Sequence, residues 1–164
     1  MRIVADIEAQ DYWLYNKFAM LHLPGMKNAF LMNFAGIHLT VFMMMMLLKE
    51  PLLTSILACI FLGLAADAVV IYMFRKRVWK TAETGRGIVG RHIFEIAENG
   101  ISDRTGEHQT FFQWGDVTGV ERAEHGIYIF FDRNFAHILP LRSFKDSDEQ
   151  ELFLETIKKY REVR

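Results

Sequence analysis

AFLMNFAGIHLTVFMMMMLL, residues 29–48, decides how the rest of the chain must be read. Apart from a possible charge on His38 it carries none, and its length is what a helix needs to cross about 30 Å of hydrocarbon. After Lys49, Glu50 and Pro51 comes LLTSILACIFLGLAADAVVIYMF, residues 52–74, where Asp67 is the one formally charged side chain. Two such runs with so short a connection predict an antiparallel transmembrane hairpin over 29–74. A chain of 164 residues cannot wrap two helices that are apolar on every face, whereas lipid needs no wrapping. The overall 51% hydrophobic and 24% charged content therefore averages two dissimilar parts.

Basic residues orient the hairpin. Arg75, Lys76, Arg77 and Lys80 follow the second span and Lys27 precedes the first, whereas the turn offers Lys49. Both termini are expected to be cytoplasmic. Lys and Arg number 19 against 20 Asp and Glu, which argues against nucleic acid as a partner. The single cysteine, Cys59, excludes an internal disulfide and any zinc site built on several thiolates.

Within the second span Ser55, Cys59, Gly63 and Asp67 recur every fourth residue, a stripe of small side chains that lets another helix approach and shelters the carboxyl group. Asn33 and Asp67 lie equally far from Glu50 along the chain, and Gly36 and Thr40 share a face with Asn33. The expected seam is thus Asn33, Gly36 and Thr40 against Ser55, Cys59, Gly63 and Asp67, with an amide bonded to the aspartate and His38 rotated away. Met43 to Met46 read as lipid-facing or packing residues.

Before the first span, Tyr12, Trp13, Tyr15 and Phe18 suggest an interfacial helix, or one packed on the C-terminal domain, with Arg2 to Ile7 available as an edge strand. Beyond Lys80 the apolar period shortens toward two. Strands are expected at 92–96, 101–105, 109–114, 117–123, 126–131 and 136–139, with Asn99-Gly100 as a hairpin turn. A helix follows at 148–162, with Leu152, Phe153, Ile157 and Tyr160 on one stripe and Ser147 and Gln150 as a capping pair. The fold class is α+β: an interfacial segment (1–28), the hairpin (29–48 and 52–74), a basic juxtamembrane linker (75–86), and a small antiparallel barrel or sandwich closed by a C-terminal helix (87–164).

DYWLYNKF (11–18), the paired spans, GRHIFEIAENGI (90–101), WGDV (114–117), GIYIFF (126–131) and ILPLRSF (138–144) together resemble the YcxB-like family of small bacterial membrane proteins. The resemblance covers nearly the whole chain. It implies a hairpin in a bacterial inner or plasma membrane carrying a cytoplasmic pleckstrin-homology-like domain, and it implies no molecular activity. Leu141 stands where the family often has a basic residue. Trp114 and Phe144 are expected to pack the core, and Arg142 to meet a carboxylate, an anionic lipid or a partner.

Signals with a catalytic look lack their setting. Gly85, Gly87 and Gly90 spell G-x-G-x-x-G, but a strand pattern follows where a phosphate-binding helix is needed. His92, His108, His125 and His137 are scattered among strands and turns without metal-ligand spacing. No catalytic residue, metal or cofactor is expected. The expected function is a membrane-anchored, non-enzymatic interaction or regulatory module, with the bilayer and either a protein partner or a second copy as its contacts. The alternatives are an oligomeric transport or channel subunit using Asp67 with Asn33, and a membrane-bound toxin-immunity protein.

Overall fold

The computed structural model describes residues 1–85, 87–106, 108–132 and 135–162. Among them are four α-helices and two antiparallel sheets. The chain forms two compact units, one of residues 1–18 with 79–164 and one of residues 19–78.

The first unit is built on β-strands. Strand β1 (Arg2–Ile7) opens the chain, with Ile3, Ala5 and Ile7 buried and their neighbours exposed. It pairs with β2 (Gly90–Ala97), on the far side of the apolar segments, in the register Arg2↔Glu95 to Ile7↔Gly90. The edge strand suspected at Arg2 to Ile7 is therefore real. Strands β3 (Gly100–Thr105) and β4 (His108–Gln113) complete the order β1-β2-β3-β4. The hairpin turn falls one residue before the Asn99-Gly100 pair expected from the sequence: Glu98 and Asn99 form it, Ala97 pairs with Gly100 at the start of β3, and a Cβ on Gly100 would run into the Phe112 carbonyl oxygen. The second sheet is β5 (Gly119–Arg122), β6 (Gly126–Phe130) and β7 (Ala136–Pro140), also antiparallel.

Helix α1 (Ala9–His22) follows β1, and within the sheet unit its Tyr15 packs edge-on against Tyr128 at 5.2 Å while Phe18 lies 5.0 Å from the same ring. Of the two roles open to this aromatic segment, packing on the domain is the one observed. The C-terminal helix, numbered α4 in chain order (Ser147–Glu162), buries Phe153 and Ile157, with Phe153 edge-on to Phe144 at 5.2 Å. Trp114 falls in a 3₁₀ turn, not a strand, and donates from Nε1 to the Ala97 carbonyl. Both aromatics expected in the core, Trp114 and Phe144, are buried. The helix cap differs from the sequence reading. Asp146 Oδ1 accepts from the Glu149 N–H at 2.8 Å, and the Glu149 carboxylate returns to the Lys145 N–H at 2.6 Å, so the capping pair lies one residue earlier than Ser147 and Gln150.

The second unit takes in α2 (Pro24–Leu47) and most of α3 (Leu52–Thr84), both long and apolar enough to cross a membrane. Pro24 starts α2, where a missing N–H costs no helical bond. Their outward faces are oily: Met32 is 75% exposed and Phe61 70%. Met43, Met44 and Met46 are also exposed, as expected for a lipid-facing run. Helix α3 continues to Thr84, so most of the stretch read as a linker at 75–86 is helical. Gly85, Gly87 and Gly90 lead from this helix into β2, the reverse of a strand-to-helix phosphate loop. Arg86 within that motif and Arg164 lie outside the described residues.

Candidate functional site

Three inward-facing polar residues meet inside the sheet unit. In β2, period-2 alternation sends His92 to the same buried face as Phe94 and Ile96. In β3, Asp103 pairs with Phe94, one step diagonal to His92, whose own register partner is Thr105. The third member, His137, comes from β7 of the other sheet. His92 Nδ1 lies 3.0 Å from both Asp103 carboxylate oxygens, and Thr105 Oγ1 is 2.8 Å from the same nitrogen. His137 Nδ1 lies 3.4 Å from Asp103 Oδ2. One carboxylate thus faces the Nδ1 atoms of two imidazoles, the arrangement that fixes ring orientation and leaves each Nε2 as the outer atom.

The two rings sit in different surroundings. His92 stacks on Phe94 at 5.8 Å. His137 is ringed by Phe94, Phe112, Phe131 and Phe135 at centroid distances of 4.8 to 5.9 Å. Burial pushes its pKa down to about 4, against the opposing pull of Asp103, so the ring is neutral at neutral pH. Its Nε2 is shut off from solvent with no hydrogen-bond partner. Beside the cluster is a cavity of about 650 Å³, lined by His92, Asp103, Thr105 and His137 together with Tyr12, Tyr15, Phe112 and Phe135. Among the described residues no group of three or more His, Cys, Asp or Glu side chains could hold a metal ion.

The sequence reading missed this cluster, treating the histidines as scattered. The available signal was the strand period itself: His92 is in step with Phe94 and Ile96, Asp103 with Ile101, and His137 with Leu139. Of the other two histidines, His108 lines the same cavity, while His125 is 3.7 Å from its neighbour Glu124.

Arg142, expected to meet a carboxylate, an anionic lipid or a partner, meets a carboxylate within the chain. Its Nη1 and Nη2 donate to the two oxygens of Asp11 at 2.6 Å each, and Nη2 also donates to the Asp6 carbonyl at 2.9 Å. Asp11 is 4% exposed and accepts the Glu8 N–H as well. This bidentate pair joins DYWLYNKF at one end of the sequence to ILPLRSF near the other. Hydrogen bonding to Asp11 raises the guanidinium pKa of Arg142.

The seam expected between the two apolar helices is half as expected. Ser55 is fully buried, Gly63 is buried, and Cys59 and Asp67 are half-buried, so the small stripe of α3 does face inward. Asn33, Gly36 and Thr40 are exposed, and Thr40 Oγ1 donates only to the Gly36 carbonyl of its own helix. The partner presented to the stripe is His38. Its ring lies over Gly63, where a Cβ would be 2.6 Å from Cδ2 and Nε2, and the Cys59 thiol donates to the His38 carbonyl at 3.4 Å. His38 Nδ1 is 2.9 Å from the Phe34 carbonyl and 3.7 Å from Asp67 Oδ2. Counting depth from the turn failed because side chains lean toward the start of their own helix, so in antiparallel helices His38 and Asp67 lean toward each other. Replacing Gly63 with leucine should force the two helices apart at a cost of about 1–3 kcal/mol. A spin-label distance between α2 and α3 that stays unchanged in Gly63→Leu would contradict this packing. Further along α3, Arg75, Lys76, Arg77 and Lys80 are exposed.

Asp103, His137 and Arg142 fall within the region that carries a family signature; Asp11 and His92 lie outside it. Residues 96–157 match the family model described as YcxB-like protein. The match runs from the end of β2 into α4, and two apolar helices precede it in a small protein, in keeping with the resemblance read from the sequence. No curated protein and no solved structure matches the chain. Within the YcxB-like region the matched motifs serve the interior: Trp114 ties the 3₁₀ turn to β2, Tyr128 receives α1, and Arg142 holds Asp11.

Proposed function

We propose that the chain is a membrane-anchored, non-enzymatic interaction or regulatory module of a bacterial inner or plasma membrane. In this reading the YcxB-like region with β1 and β2 forms a pleckstrin-homology-like head in the cytoplasm. The hairpin crosses the bilayer twice, and a protein partner or a second copy is engaged from that position. The observation that carries it is the pairing of β1 with β2 across the intervening apolar helices. Strands that neighbour each other in one sheet must lie in one compartment, so the chain that leaves after β1 has to return to the same side. The exposed basic residues after the second span favour the cytoplasm for that side. Topology reporters fused at Lys49 and at the C-terminus should report opposite faces of the membrane. Reporters on the same face would overturn the reading.

A second reading rests on Asp67, whose Oδ1 is buried without a hydrogen-bond partner while Oδ2 faces His38. An ionisable group left incomplete at membrane depth suits an oligomeric transport or channel subunit. Proton or cation flux through reconstituted vesicles that disappears in Asp67→Asn would favour this reading over the first. Crosslinking in intact membranes that returns a discrete protein partner, with no flux, would favour the first.

A further inference from the structure

We propose that the free edge of β4 docks a second copy of this chain, the two β4 strands pairing antiparallel about Phe111 so that two four-stranded sheets become one. The proposal rests on the membrane reading above and takes its second-copy alternative, with the contact made by the sheet unit.

Hydrogen bonds already in the sheet fix which groups that edge presents. Ile96 exchanges both backbone bonds with Met1, so in β2 it is Ala97 and Glu95 that turn toward β3, where their partners are Gly100 and Ser102. Ile101, Asp103 and Thr105 then turn toward β4 and meet Phe112, Thr110 and His108. The N–H and C=O groups of Gln109, Phe111 and Gln113 are left pointing out of the sheet. One of them is taken: the Gln113 N–H donates to Asp116 Oδ2 at 3.0 Å. The ring of Phe111 leans inward over Gly100 of β3, so it does not cover the edge, and the residue is 50% exposed.

Three features choose a second copy as the occupant. The strand HQTFFQ has no Lys, Arg, Asp, Glu or Pro and runs in unbroken register with β3, whereas β1 carries Arg2 and Asp6, β5 carries Glu121 and Arg122, and β7 ends in Pro140. Sheet edges are normally guarded by such residues, and this one is not. The residues whose backbone points outward read Gln109, Phe111, Gln113 along the exposed face, the same in both directions. Antiparallel pairing about Phe111 therefore sets Phe111 against Phe111 and each Gln109 against a Gln113, with no charge to repel. One strand pair is small beside the roughly 1,000 Å² of a specific interface in free solution, which suits copies that a bilayer already holds at high local concentration.

Crosslinking of the full chain in intact membranes tests this, in a Cys59→Ser background that leaves introduced cysteines as the sole thiols. Facing Phe111 Cα atoms would lie about 5.5 Å apart. Phe111→Cys with a short bismaleimide should therefore give a covalent dimer, whereas Glu121→Cys on β5 and Leu152→Cys on α4 should not. Gln109→Glu with Gln113→Glu sets carboxylates opposite each other in both symmetric pairs and should lower the yield of the Phe111→Cys dimer about tenfold. Gln109→Lys with Gln113→Glu should restore it, and both variants keep the side-chain acceptor that Gln113 offers to the following 3₁₀ turn. In a chain whose reporters show the expected topology, four results would each overturn the proposal and leave the membrane reading standing. They are no dimer from Phe111→Cys, equal yields from Phe111→Cys and Glu121→Cys, equal yields from the two charge variants, or a link to a different polypeptide in place of the dimer.

Discussion

Replacing Arg142 with alanine should lower the stability of the sheet unit by about 3 kcal/mol, and by more than replacing Asp11 does. The asymmetry comes from burial. Asp11 is 4% exposed, whereas the Arg142 side chain is 49% exposed. Removing the arginine strands a buried carboxylate that keeps one backbone donor, from Glu8. Removing the aspartate leaves a guanidinium that still reaches water and Glu8, for a loss of about 1–2 kcal/mol. Arg142→Lys should recover little, because one ammonium cannot serve both Asp11 oxygens and the Asp6 carbonyl at once. Hydrogen exchange of the β1 and β6 amides gives the opening free energies directly. If Asp11→Ala proved the more damaging of the two, the clamp would not be what holds α1 to the sheet.

Acid should destabilise the sheet unit through His137 before most carboxylates titrate. In the folded protein burial holds this imidazole at about 4, while the unfolded chain takes up the same proton near the ordinary value of 6.5. The unfolded state therefore binds more protons between these two values. Stability due to this group is complete above about pH 7, falls as pH drops through 6.5, and is lost by about pH 4. The slope approaches roughly 1.4 kcal/mol per pH unit and the total is about 3 kcal/mol. Unfolding free energies at pH 7.5, 6.5, 5.5 and 5.0 for the unaltered chain and for His137→Phe provide the comparison. The variant should lack that part of the slope. Parallel curves would mean that the imidazole is not held neutral inside the fold.

The parts legible in the sequence are those whose signal is local. Residues 29–48 and 52–74 announce helices because they are long apolar runs in which Asp67 is the one formally charged residue, and Asn99-Gly100 announces a turn, which forms one residue earlier at Glu98-Asn99. The stripe Ser55, Cys59, Gly63 and Asp67 is also local, fixed by the pitch of one helix, and it faces inward as expected. Its partner was not legible, since the choice between Asn33 and His38 depends on the mutual rotation and side-chain lean of two helices. The cluster of His92, Asp103 and His137 draws on three strands in two sheets, and the Asp11–Arg142 pair joins positions that nothing in the spacing connects. In the cap of α4 the chemistry was recognised but placed one residue late, because Asp146 and Ser147 are both good capping residues and only the backbone distinguishes them.

The connectivity of the sheet has a consequence for synthesis. Strand β1 is made before both apolar helices, yet the strand it pairs with ends at Ala97, after them. At about 5–20 residues per second, nascent β1 waits on the order of ten seconds with an open edge. Whatever slows synthesis of the two helices lengthens that interval, and with it the chance that the waiting strand is captured by another polypeptide.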